Sequence, residues 1–193
     1  MKELHTQRLI LRAWEPEDAV FLLDLVSRSQ TVQYLGPDPM PMTTFEQAAA
    51  TIIVRRRAVR EHGQGIWAIT LRNGGELVGN LLCKPMSEQM QRLIGMGLAD
   101  QPREIGWHLH ADAKGQGYAM EAARAVLDYA NKRNVTTEIL AIVDPRNTPS
   151  LQLCERLGMQ RFGSTTGYVS PEHVVFLVPS ANDDGQRVRD DGR

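Results

Sequence analysis

The residues best suited to chemistry lie between Glu104 and Ala119, in EIGWHLHADAKGQGYA. Gly115 and Gly117 stand immediately before a long helical pattern. A glycine-rich turn opening a helix aims several backbone N–H groups at one place. The helix dipole adds positive potential there, so a phosphate can be held without a cage of lysines. Glycine also lets the backbone come close to a ligand. A plain structural turn would use the same residues. The stretch lacks the Gly-Lys-Ser/Thr ending of a P-loop and the three spaced glycines of a dinucleotide fingerprint, so a phosphate-bearing cofactor of another kind fits better. Upstream, Glu104, His108 and His110 alternate, which on a regular strand places them on one face. That pattern raises a metal site or a histidine base. No second carboxylate or histidine is clearly placed to complete a metal set, and no metal is expected.

These residues need elements to position them. Glu104–His110 reads as a strand, and Tyr118–Arg133 as a helix with Ala119, Ala122, Ala123, Val126, Leu127 and Ala130 on one broad face. Before them, Arg8–Trp14 alternates as a half-buried strand, and Pro16 opens a helix with Glu15, Glu17 and Asp18 at its start. Gly36–Pro41 reads as a loop. Thr43 or Thr44 can cap a second helix that runs to about Glu61, with Glu46 in its first turn. Ile66–Leu71 and Glu76–Cys83 form a hairpin over Asn73-Gly74-Gly75. The segment Lys84–Arg103 shows no clear period and reads as a long loop whose methionines, Met86, Met90 and Met96, either cover the core or line an adaptable wall. Glu138–Val143 is a strand, Pro149–Leu157 a short helix stopped by Gly158, and Met159–Phe162 and His173–Val178 are closing strands. Residues 1–179 are expected to form one domain, followed by a polar tail over 180–193.

Composition narrows the classes. The 193 residues, 42% hydrophobic and 23% charged, suit a folded α/β domain, and a formal net charge of −1 calls for neither nucleic acid nor an anionic membrane as partner. The N-terminal apolar run is short and broken by Arg8 and Arg12, so neither a signal peptide nor a membrane span is read there, and a cytoplasmic setting is expected. Cys83 and Cys154 read as two buried thiols. Arg55, Arg56, Arg57 and Arg60 read as a solvated helix face, with attraction of a phosphate-bearing cofactor or an acidic substrate as the rival reading. Trp14, Trp67 and Trp107 read as core or rim residues.

Lys114-Gly115-Gln116-Gly117-Tyr118-Ala119 resembles the pyrophosphate loop of the GNAT acetyltransferase superfamily, with Leu109 at the aliphatic position five residues before it. Asn147-Thr148-Pro149-Ser150 followed by Leu157-Gly158-Met159 resembles the family's second signature, and Thr6–Arg12 resembles the opening of the RimJ/RimL branch. Lys114 stands where Gln or Arg is usual, keeping a charge without the planar fork, and Met159 stands in place of Phe.

The resemblance implies an α/β (α+β) GNAT fold: a mixed, mostly antiparallel sheet of about seven strands splayed between the fourth and fifth, with about four helices. It implies acetyl-CoA as co-substrate, bound through Leu109, Lys114, Gly115, Gln116, Gly117, Tyr118, Ala119 and Asn147. The reaction it implies is transfer of acetyl to a primary amine, a protein N-terminus or a small molecule. Glu104 would be the base, a backbone N–H near Leu109 the oxyanion donor, and Ser150 the donor to the departing thiolate, with Tyr168 an alternative. Structural roles compete for each: a strand-end carboxylate for Glu104, a helix cap for Ser150, an Asx-turn for Asn147. His108 or His110 could also be the base. A homodimer is a family-level expectation. The alternative function is a non-catalytic acyl-CoA sensor, because a fold does not fix its function.

Overall fold

The computed structural model describes residues 3–34, 40–57, 64–94, 98, 101–132, 138–166 and 172–179. They group into two units, residues 1–84 with 105–135 and residues 85–104 with 136–193.

The first unit opens with β1 (Leu4–His5) and β2 (Leu9–Arg12). A 3-10 turn, Pro16–Asp18, leads into α1 (Ala19–Ser27). Asp18 ties this entry down: it accepts the Glu15 N–H at 2.8 Å and takes both Arg12 terminal nitrogens at 2.7 and 2.9 Å. A four-residue helix, α2 (Ser29–Val32), follows, then α3 (Phe45–Arg57). Thr44 caps α3 by accepting the Gln47 N–H, and Gln47 answers by accepting the amides of Thr43 and Thr44. Residues 58–63, where the sequence extends this helix to about Glu61, lie outside the described residues.

The hairpin forms as its turn residues require. Gly74 and Gly75 take φ of 101° and 74° between β3 (Gly65–Leu71) and β4 (Leu77–Pro85). β5 is Arg103–Leu109, and α5 is Tyr118–Lys132, which packs against β1 and β2. On the other side, Ala48 and Ile52 of α3 and Leu22 of α1 bury themselves with Trp14 and Ala68.

The second unit corrects the long-loop reading of residues 84–103. β4 runs on to Pro85, β5 begins at Arg103, and α4 (Glu88–Ile94) lies between them. Ser87 starts α4 by accepting the Met90 N–H on its hydroxyl and the Gln91 N–H on its carbonyl. Seven residues show too little of the 3.6 period to be read from sequence. Met86 and Met90 are buried with Leu140, Val175 and Leu177, so these two methionines cover a core. β6 (Ile139–Val143), α6 (Thr148–Arg156), β7 (Gln160–Thr165) and β8 (His173–Leu177) complete the unit.

Among the described residues there are eight strands and six helices, where about seven and about four were expected. The additions are short: β1 has 2 residues, α2 has 4 and α4 has 7. The strand order is β1-β2-β3-β4-β5-β6-β8-β7. β1–β2, β2–β3, β3–β4, β6–β8 and β7–β8 pair antiparallel, while β5 and β6 run parallel over Arg103 with Ile139 and Glu104 with Leu140. This is the mixed, mostly antiparallel sheet that the family resemblance implied.

Candidate active site

The glycine turn is built from β5 outward. His110 follows the strand, donating its N–H to Val78 O at 2.9 Å. β5 lies very close to β4 here: a Cβ on Gly79 would meet His108 O at 2.2 Å and Leu109 Cα at 2.9 Å. His110 then caps a 3-10 turn, Ala111–Ala113, whose Ala113 N–H returns to His110 O at 3.0 Å.

Lys114, Gly115, Gln116 and Gly117 are exposed, and α5 begins at Tyr118. Gly115 and Gly117 both have positive φ, 78° and 79°. A Cβ at Gly115 would meet nothing within 4 Å, so the backbone conformation requires glycine there while crowding does not. The turn presents an open face with a lysine beside it, at the mouth of a 15-residue helix. These residues suit a diphosphate.

Two residues outside the glycine motif hold the turn in place. Arg8 donates through Nη1 to Gln116 O at 3.0 Å and lies over the Tyr118 ring, 4.8 Å from its centre. Glu121, in the first turn of α5, accepts Arg8 Nε at 2.7 Å, the Arg8 N–H at 2.8 Å and the Thr6 hydroxyl at 2.6 Å. Burial works to raise the Glu121 carboxyl, but these hydrogen bonds outweigh it and hold it below the usual carboxylate range. Within the turn, Tyr118 donates its hydroxyl proton to Gln116 Oε1 at 3.0 Å, and Gln116 Nε2 reaches Asp112 O at 3.3 Å. Thr6 and Arg8 belong to the Thr6–Arg12 opening, which sequence reasoning read as a branch marker and not as a support for the turn.

The two histidines of β5 and its exit have separate partners. His108 Nδ1 lies 3.3 Å from Asn80 Oδ1. His110 Nε2 lies 2.8 Å from Asp24 Oδ2, and its ring packs on Phe21 at 5.8 Å between centroids. Burial, helped by the Arg55 charge, pushes the His108 pKa down to about 4. His108 is therefore a neutral, weakly basic imidazole at pH 7, poorly matched to general-base work.

In the second unit, Glu104 is half-buried beside Leu140 on β6. β6 exits through Asp144, buried at 3% exposure, which takes Arg146 Nη2 at 2.6 Å and the Arg146 N–H at 2.8 Å. The Arg146 hydrogen bonds hold Asp144 below the ordinary carboxylate range. That turn presents Asn147, whose N–H bonds Asp144 O at 2.9 Å. Asn147 is the cap of α6: its Oδ1 accepts the Ser150 N–H at 3.3 Å. The helix-cap role considered for Ser150 thus falls to Asn147, and Ser150 sits half-buried in the first turn. Tyr168 lies outside the described residues.

Comparison with known proteins gives the chain's family. The Acetyltransferase (GNAT) domain family matches residues 8–160. An uncharacterized N-acetyltransferase, p20 of Bacillus licheniformis, is 29% identical over 171 residues, covering 87% of this chain and 88% of its own. Among solved structures, a GNAT-family acetyltransferase from Bacillus anthracis superposes with a TM-score of 0.74 at 24% identity, covering 92% of this chain and 98% of its own. RimL, described as a ribosomal alpha-N-protein acetyltransferase in complex with coenzyme A, superposes at 0.71 and 17% identity, covering 92% and 97%. The chain belongs to the GNAT family and is an acyl-CoA-dependent acetyltransferase.

Proposed function

We propose that the chain transfers acetyl from acetyl-CoA to a primary amine, with Lys114–Ala119 gripping the pyrophosphate. The observation that carries this reading is the pair of positive-φ glycines in an exposed turn at the mouth of α5. In that conformation the amides of the turn and of the first turn of α5 converge on an anion, and Lys114 adds charge. Asn147 and Leu109 extend the binding residues along the pantetheine arm.

Acetyl-CoA supplies an activated acyl carbon, so the chain's own residues must manage protons and charge. The attacking amine, with a pKa of about 8 for an α-amino group, is largely protonated at neutral pH. Glu104 accepts its proton, directly or through water. The Leu109 N–H donates to the developing oxyanion, a contribution of about 3–4 kcal/mol in comparable sites. The Ser150 hydroxyl donates to the departing thiolate.

For the acceptor, the Thr6–Arg12 opening resembles the RimJ/RimL branch, and RimL is named as an alpha-N-protein acetyltransferase. That favours a protein N-terminal α-amine over other amines. The test is acetyl-CoA-dependent thiol release across a panel of N-terminal peptides and small amines. Turnover is expected, and Glu104→Gln should lower kcat by about 10²–10⁴. Tight CoA binding with no turnover on any amine would favour the sensor instead. An unchanged kcat in the variant would remove Glu104 from the mechanism.

A further inference from the structure

Arg12, Ala68, Asn80 and His108 form one row across β2, β3, β4 and β5. Ala68 packs with Trp14 and with Ala48 and Ile52 of α3, so this row faces α3. Arg55, on the last turn of α3, turns inward while Arg56 and Arg57 stay exposed. Its guanidinium lies over the Trp14 ring, 4.9 Å from the centre.

Three N–H donors here are buried without a hydrogen-bond partner: Arg55 Nη1, Trp14 Nε1 and Asn80 Nδ2. Trp14 and Asn80 are each 1% exposed. Burial pushes the Arg55 pKa down to about 10, which no anion offsets. Asp18 and Asp24, on elements packed against α3, are already engaged: Asp18 holds Arg12, and Asp24 holds Arg28 and His110. A half-buried cation with no carboxylate partner, beside two buried unsatisfied donors, is costly, and a ligand that completes them would account for it. The complement of one cation and two neutral donors, with a neutral His108 beside them, is a carboxylate. His108 immediately precedes Leu109, so the cluster stands one residue along β5 from the N–H given to the oxyanion above.

We infer that Arg55, Trp14 and Asn80 recognise a carboxylate carried by the acceptor amine. The acceptor is then an α-amino acid, or a peptide with an acidic residue beside its N-terminus. This deepens the transfer reading above and rests on it.

The test uses the full chain, acetyl-CoA and matched acceptor pairs, with rates corrected for the fraction of unprotonated amine. One arm compares free α-amino acids with their α-carboxamides. The other compares peptides with Asp or Asn at the second position. The carboxylate member should have at least about tenfold higher kcat/KM in one arm, which identifies the source. Arg55→Gln should bring that ratio to near one, chiefly through KM, and Asn80→Asp should invert it. The wild-type comparison needs no variant to fold. A ratio near one in both arms, or a preference that survives Arg55→Gln, overturns the inference while leaving amine transfer intact. Absence of turnover with every amine removes both.

Discussion

His108 shows most directly how one side chain's surroundings set its chemistry. Burial first, and the positive charge of Arg55 second, push it down to about 4. The unfolded chain would hold the same imidazole near its ordinary value of about 6.5. Because the folded pKa is depressed, the folded state binds fewer protons, so stability is complete above about pH 6.5 and is lost as pH falls toward 4. The full effect is on the order of 3 kcal/mol. Denaturant unfolding followed from about pH 7.5 to 4.5 should show this loss in the wild type and a flatter profile in His108→Gln. Parallel profiles would mean that His108 is not held neutral by its surroundings. Cys154 tells a similar story: burial pushes its thiol up to about 12, in keeping with the buried-thiol reading and far from a nucleophile's range. At this scale the sequence showed Gly115 and Gly117 because their need for positive φ is local. It did not show that Arg8 and Glu121 brace the turn, since these partners are 113 residues apart and only the fold brings them together. Nor did it show Arg55 separating from Arg56 and Arg57, which depends on the rotation of α3 against Trp14.

At the scale of elements, the decisive contact is between β4 and β5. Gly79 has no side chain because β5 occupies its place: a Cβ would stand 2.2 Å from His108 O and 2.8 Å from Leu109 Cδ2. The clash at His108 O is with backbone and cannot be relieved by a rotamer. Gly79→Ala should therefore destabilise the fold by about 1–3 kcal/mol. It should also lower kcat by displacing Leu109. A thermal melt and a rate measurement check both, and an unchanged melting temperature would contradict the close approach. Long, strongly periodic elements were legible: α5 from its alanine-rich face, and the hairpin from Asn73-Gly74-Gly75. Short ones were not. α4 owes its existence to the Ser87 cap and to burial of Met90, and β1 to pairing with β2, neither of which leaves a period to read.

For the whole molecule, the family match over residues 8–160 takes in elements of both units, from β2 to α6. Strand order was beyond sequence reasoning: β8, last in the chain, lies between β6 and β7, and hydrophobic alternation carries no information about such an insertion. The three motifs could be read as one family because each is short and local, whereas the residues we infer to choose the acceptor, Trp14, Arg55 and Asn80, are gathered only by the fold. Cofactor binding, as proposed, is anchored above all by the turn at Gly115–Gly117. Calorimetric titration of CoA into the wild type and into Gly117→Val tests it most directly. Valine is strained at a φ of 79°, so affinity should fall by at least about a hundredfold while the circular dichroism spectrum is retained. Equal affinity in the two proteins would show that the diphosphate is held elsewhere.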